Sequence, residues 1–168
     1  SFPTSPVHFF KSSGTTSNET SKHFIYDLSI YERSFTSCFK QFFSKIEDYC
    51  FIALLPNYLE QGNSSLVYMI DNFIKKSKYK ESNFYNGSLE DVIHTLKECE
   101  KENRKTILFG VTYALLDLIE IEKLNLNNTI VFETGGMKGR RKELIREELH
   151  KTLCQGFGIN AIASEYGM

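Results

Sequence analysis

The sequence carries no excess of charge of either sign: its 168 residues sum to a formal net charge of −1. A general nucleic-acid binder shows a strong basic surplus, so that class is disfavoured. There is no C-x-x-C pair among the four cysteines, Cys38, Cys50, Cys99 and Cys154, so a zinc site has little support. An even count leaves disulfides open. Three of the four fall in apolar patterns, however, where a free buried thiol is the commoner state, and a reducing, cytoplasmic setting is expected. No apolar run approaches membrane-spanning length, and the first residues lack the shape of a signal peptide. Tryptophan is absent, so the 14% aromatic content is Phe and Tyr alone. No internal repeat is visible. The chain lacks an opening Met and stops after a glycine turn, which leads us to expect a piece of a longer protein.

What is present is a globular composition, 41% hydrophobic, in a length suited to one domain with a real core. Strand-like and helix-like segments alternate. Residues 7–10, 51–55, 106–110, 129–132 and 159–163 read as short apolar strands. Residues 26–47 read as a long helix with Leu28, Tyr31, Phe35, Phe39, Phe42 and Ile46 near the helical period. A second helix is capped by Asn63 or Ser64 and carries the stripe Leu66, Ile70, Phe73 and Ile74. Ser88–Asp91 resembles a capping box and opens a third helix. Residues 111–124 are apolar on most sides, so this helix is covered on more than one face. Residues 140–153 form an amphipathic helix with Ile145, Leu149 and Leu153 inside. Residues 77–87 are polar and aromatic and read as a surface excursion. Such alternation predicts an α/β fold, a mostly parallel sheet flanked by helices. Ligands then bind at the carboxyl ends of the strands.

Three loops follow strand-like runs and fall at those ends. The first is Lys11, Ser12, Ser13, Gly14, Thr15, Thr16 and Ser17, a set of backbone N–H groups and hydroxyls around one flexible glycine, suited to phosphate oxygens. By itself such a cluster is most often a plain surface loop. The second is Thr134, Gly135, Gly136, Met137, Lys138, Gly139, Arg140 and Arg141. Cations at a helix start oppose the dipole, so these basic residues are either a solvated face or neighbours of an anion. Glu133 stands ready to bond loop N–H groups or to cap them. The third is Ser164, Glu165, Tyr166, Gly167 and Met168. His8 and His23 flank the first loop, and His94 and His150 lie on helices as surface or structural groups. Cys99 and Cys154 are placed on partly exposed helix faces, where an acyl-acceptor role is the weaker reading because no activating base is evident.

The first loop resembles the phosphate loop of the adenylate-forming superfamily. Phe132–Arg141 and Ser164–Met168 resemble one branch of it, the LuxE-type acyl-protein synthetases. Leu54–Leu59, Asn63–Met69, Gly110–Asp117 and Arg146–His150 are similar to that branch as well, so the likeness runs over nearly the whole chain. It implies a single truncated synthetase core over residues 1–168, part of the N-terminal domain of an adenylate-forming enzyme. The implied chemistry is ATP- and Mg²⁺-dependent conversion of a long-chain fatty or related carboxylic acid to acyl-AMP, followed by transfer to a protein thiol. A reductase that accepts the acyl group is the implied partner.

By motif, Ser12, Ser13, Gly14, Thr15, Thr16 and Ser17 would hold phosphates. Gly135, Gly136 and Met137 would line the adenine and the start of the acyl pocket. Tyr166 would lie on the base beside Gly167, and Thr112 and Tyr113 would stand near the substrate carboxylate. The superfamily's Thr-Glu continuation, its C-terminal lysine and the acyl-accepting cysteine are not in this sequence. Catalytic residues and metal ligands are therefore expected beyond Met168, and the isolated chain is expected not to complete adenylation. The alternatives are an acyl- or aryl-CoA ligase of the same superfamily and a non-catalytic nucleotide- or acyl-binding module.

Overall fold

A computed structural model of the chain describes residues 5–11, 21–56, 62–135 and 145–164. Two short strands, β1 (His8–Lys11) and β2 (Lys22–Ile25), pair antiparallel with His8 opposite Ile25 and Lys11 opposite Lys22. Helix α1 (Leu28–Phe42) follows, its first turn capped by Asp27, which accepts from the Ser29 N–H at 2.9 Å. The rest alternates: β3 (Cys50–Leu54), α2 (Ser65–Lys76), β4 (Asn83–Phe84), α3 (Leu89–Lys101), β5 (Thr106–Gly110), α4 (Thr112–Ile121), β6 (Thr129–Glu133), α5 (Arg146–Phe157) and β7 (Ala163–Ser164). Strands β3 to β7 form one parallel sheet in the order β4-β3-β5-β6-β7. The fold is α/β, a parallel sheet flanked by helices.

Strands β3 and β5 are buried along their whole lengths, as the centre of a sheet covered on both faces must be. Successive side chains point to opposite faces. Phe51 packs against Phe39 of α1 and Phe73 of α2, ring centroids 5.9 and 5.4 Å apart. The alternate set, Cys50, Ile52 and Leu54, faces α3 and α4. The route of the chain explains this division. From β3 it crosses through α2 to one edge of the sheet. From β4 it turns back, and α3, α4 and α5 carry it to the other edge. Right-handed crossovers in opposite directions put α2 and α3–α5 on opposite faces.

The structure corrects several expectations. The long helix ends at Phe42, because Phe43 is extended (φ −127°, ψ 172°), and only one tight turn, Ile46–Asp48, continues the pattern. Phe42 is 75% exposed rather than part of the buried stripe. Residues 77–87 are no surface excursion. They hold edge strand β4, and the buried Ser82 hydroxyl accepts from the Phe51 N–H at 3.0 Å and donates to Ser77 Oγ at 2.7 Å. Ile145 is 70% exposed, since α5 begins after it and turns Leu149 and Leu153 inward instead. Ser88 caps α3 by accepting from Glu90 N–H, not from Asp91. Residues 7–10 do not supply a strand of the parallel sheet: β1 pairs antiparallel with β2, which was not foreseen, in a separate ribbon, so the first loop does not follow a strand of that sheet.

Helices α4 and α5 touch through Gly156. A Cβ on that residue would lie 2.6 Å from Ile119 Cβ, an atom fixed to its own backbone. Relief requires the helices to separate. Gly156→Ala is therefore expected to destabilise the chain by about 1–3 kcal/mol, read as a lower midpoint in urea denaturation. An unchanged midpoint would show that the two helices are not held this close.

Candidate functional site

The chain reverses direction between β3 and β5, so the carboxyl ends of those two neighbouring strands are where an open α/β sheet presents its crevice. The two ends are tied by Val111 N–H donating to the Leu54 carbonyl at 3.2 Å. The N-termini of α2, α3, α4 and α5 all lie at this rim, because each helix follows a parallel strand. Ser64 caps α2, its hydroxyl accepting from Val67 N–H at 3.4 Å. Helix α4 starts only two residues after β5, with Val111 providing no side-chain cap.

The turn after β6 takes over that capping role. One oxygen of Glu133, Oε1, accepts from the Gly135 N–H at 2.7 Å and from the Thr112 hydroxyl. Thr112 N–H in turn donates to the Gly135 carbonyl at 3.2 Å. Thr134 completes the stitching, with its N–H and its hydroxyl both donating to the Gly110 carbonyl, at 3.0 and 3.3 Å. Glu133, Thr134 and Thr112 are buried, the last only 2% exposed. Gly135 has φ +77°, a left-handed conformation that favours glycine. A Cβ there would meet nothing within 4 Å, so glycine is required by the backbone and not by crowding among the described residues.

Next along the rim, Ser164 pairs in register with Glu133. Its hydroxyl lies 3.4 Å from His150 Nε2 on the first turn and a half of α5. On the other side of the switch point the β1–β2 ribbon is anchored to the same rim. Lys11 N–H donates to the Asn63 carbonyl at 2.9 Å, just before α2 begins. The ribbon's base is an aromatic cluster. Phe10 sits between Tyr31 and Tyr68, with ring centroids 5.2 and 5.6 Å away. Tyr31 donates to the Ser65 carbonyl at 3.1 Å, and Tyr68 donates to Glu32 Oε1 at 2.6 Å. The hydrogen bond to Glu32, with burial and the Glu32 charge adding to it, pushes the Tyr68 hydroxyl up to about 12.

Of the residues singled out in the sequence, Gly135, Thr112 and Tyr113 are described, and the first two meet directly. Thr112 gives its hydroxyl to Glu133, so it serves the turn, and a substrate carboxylate beside it would face another carboxylate. Tyr113 is buried on α4. Ser12, Ser13, Gly14, Thr15, Thr16, Ser17, Gly136, Met137, Lys138, Arg140, Arg141, Tyr166 and Gly167 lie outside the described residues. Glu133 bonds a loop N–H as its position suggested, and it also captures Thr112. The Asn63 and His150–Ser164 contacts join residues far apart in sequence, and no local spacing announces them. Cys99 is a correction: it is fully buried near the end of α3, at the opposite end of the sheet from the rim. It cannot be a partly exposed acyl acceptor. Among the described residues no group of three or more His, Cys, Asp or Glu side chains is placed to hold a metal ion. No described helix is long and apolar enough to cross a membrane.

Two outcomes follow from this geometry. Removing the Thr112 hydroxyl (Thr112→Val) and neutralising Glu133 (Glu133→Gln) should each destabilise the chain by about 1–3 kcal/mol. A double-mutant cycle should give a coupling above about 0.5 kcal/mol, and additive losses would show that the two side chains do not share a bond. For Tyr68 the folded-state value lies above the unfolded one, near 10. Its contribution is therefore fully present below pH 10 and is lost as pH rises toward 12. The advantage of the wild-type chain over Tyr68→Phe, on the order of 1 kcal/mol at neutral pH, should shrink over that window in urea titrations. A difference that stays constant with pH would remove the Tyr68–Glu32 bond from the account. In comparisons with known proteins no family model matches the chain, and no curated protein or solved structure matches it either.

Proposed function

We propose that this chain forms the nucleotide- and acid-binding part of an acyl-protein synthetase, a cytoplasmic enzyme of the adenylate-forming type. The observation that supports the reading best is the common origin of the three loops. Lys11, Gly135 and Ser164 are the last described residues before them; Gly135 and Ser164 stand at the carboxyl rim of the parallel sheet, and Lys11, on the separate antiparallel ribbon, is tied to that rim through Asn63. Helix N-termini gather at that rim beside the Gly135 turn, and helix N-termini suit phosphate oxygens.

The reaction proposed is attack of a fatty or related carboxylate on the α-phosphorus of ATP. An oxygen–phosphorus bond forms to give acyl-AMP, and pyrophosphate leaves. A thiol then attacks the acyl carbonyl and AMP departs. Every reactant is anionic, so the protein's task is to offset repulsion with donors and a divalent cation. The hydroxyl loop of residues 12–17 would take the phosphates, and the Gly135 turn would let the nucleoside approach the backbone closely. Among the rim carboxylates described, Glu133 is already engaged by two donors. The Mg²⁺ requirement therefore rests on the family likeness, which puts the ligand after the Tyr166-Gly167 turn. The proposed acceptor of the acyl group is a partner reductase.

The test is an NMR titration of the isotope-labelled chain with a stable acyl-AMP mimic, an acyl sulfamoyl adenosine. The amide signals of Lys11, Thr112, Gly135 and Ser164 should move together with one binding curve and one ligand per chain. No binding, or shifts confined to one loop, would overturn the reading.

A further inference from the structure

The end of the sheet away from the rim holds a second group of reactive side chains. Cys50 opens β3 and Cys99 lies near the end of α3, and both are fully buried. The backbone draws them together. Arg104 N–H donates to the Cys99 carbonyl and Cys50 N–H donates to the Lys105 carbonyl, each at 2.9 Å, so one dipeptide bridges both cysteines. The two side chains are neighbours, and each alters the other's protonation. The mutual contact makes them unequal. The Cys99 thiol is lowered because the Cys50 thiol can donate to it, with Thr106 and the Arg104 charge acting the same way against burial. The Cys50 thiol is pushed up by that same contact and by burial. A lone buried cysteine among aliphatic neighbours is inert, whereas here a second thiol stands beside the first.

We propose that Cys50 and Cys99 are a paired oxidation site that closes into a disulfide, pinning α3 to the amino end of β3. The oxidant is a small disulfide of the glutathione type. The Cys99 thiolate attacks one of its sulfurs, forming a mixed disulfide and expelling a thiolate. Cys50 then loses its proton and attacks the Cys99 sulfur, which expels the second thiolate. The two protein thiols lose two electrons and two protons, and the oxidant gains them as two free thiols. Because both thiols are buried, the reaction proceeds through opening of α3 and is slow. The closed bond spans the chain from β3 to α3, so it restricts the unfolded state and stabilises the oxidised form.

The experiment treats the folded chain with excess glutathione disulfide, quenches with iodoacetamide and maps the digest by mass spectrometry. A Cys50–Cys99 linked peptide should accumulate, and Tm should rise by on the order of 5 °C and fall back with dithiothreitol. Cys99→Ser should abolish the link, and Cys38→Ser and Cys154→Ser should leave it intact. The mapping needs only the wild-type chain, so a variant that fails to fold does not blunt the test. Recovery of Cys50 and Cys99 as alkylated thiols after prolonged oxidation, or links that involve Cys38 or Cys154 instead, would overturn the assignment.

Discussion

One carboxylate oxygen joins three elements at the rim. Glu133 Oε1 receives both the Gly135 N–H and the Thr112 hydroxyl, so the end of β6, the glycine turn and the start of α4 move as one body. The position is unusual for an acid, since it ends an apolar strand and is buried. A buried carboxylate is costly unless donors surround it, and removing any of them leaves it exposed to that cost. The arrangement therefore resists gradual loosening. It also gives α4 the cap that Val111 cannot supply, because the Gly135 carbonyl and the Glu133 carboxylate together occupy donors at the helix start. Holding a glycine in its left-handed conformation by two partners keeps the backbone on this side of the crevice in one shape before anything binds.

The opposite side of the crevice is held by different means. The β1–β2 ribbon has no place in the main sheet, and a two-stranded ribbon is marginal alone. Its stability comes from the aromatic cluster of Phe10, Tyr31 and Tyr68, whose hydroxyls are tied to Ser65 and Glu32. Edge and tilted ring contacts of this kind add to the area buried. The same cluster delivers Lys11 to Asn63, so the loop that follows Lys11 departs from the rim and not from a free end.

Much of the fold was legible in the sequence because the central strands are continuous apolar runs. Residues 106–110 were read with the bounds β5 has, and the alternation of strand and helix led directly to a parallel sheet. Misreadings fall where tertiary contacts override local pattern. Strand β4 is two residues long and owes its place to pairing with β3 and to the Ser82 hydroxyl, neither of which leaves a periodic trace. Phe42 and Ile145 continue their helical stripes in sequence, yet each lies at an end where the helix has already left the core. Cys99 was read on a partly exposed helix face, but it is buried at the end of α3, near Cys50 on a strand far upstream. The site was legible only in part. Gly135 and Glu133 could be read from a strand-end glycine pair preceded by an acid. The Lys11–Asn63 and His150–Ser164 contacts depend on which loops the topology brings together, and that information lies in no single segment.

The two ends of the sheet are chemically opposed. The rim gathers helix N-termini, amide donors and a positive-φ turn, all suited to anions. The amino end gathers helix C-termini, the Arg104–Glu81 ion pair and the two thiols. Strands β3 and β5 connect the ends through a core packed on both faces. A cross-link between α3 and β3 at the amino end would change how readily α3 opens.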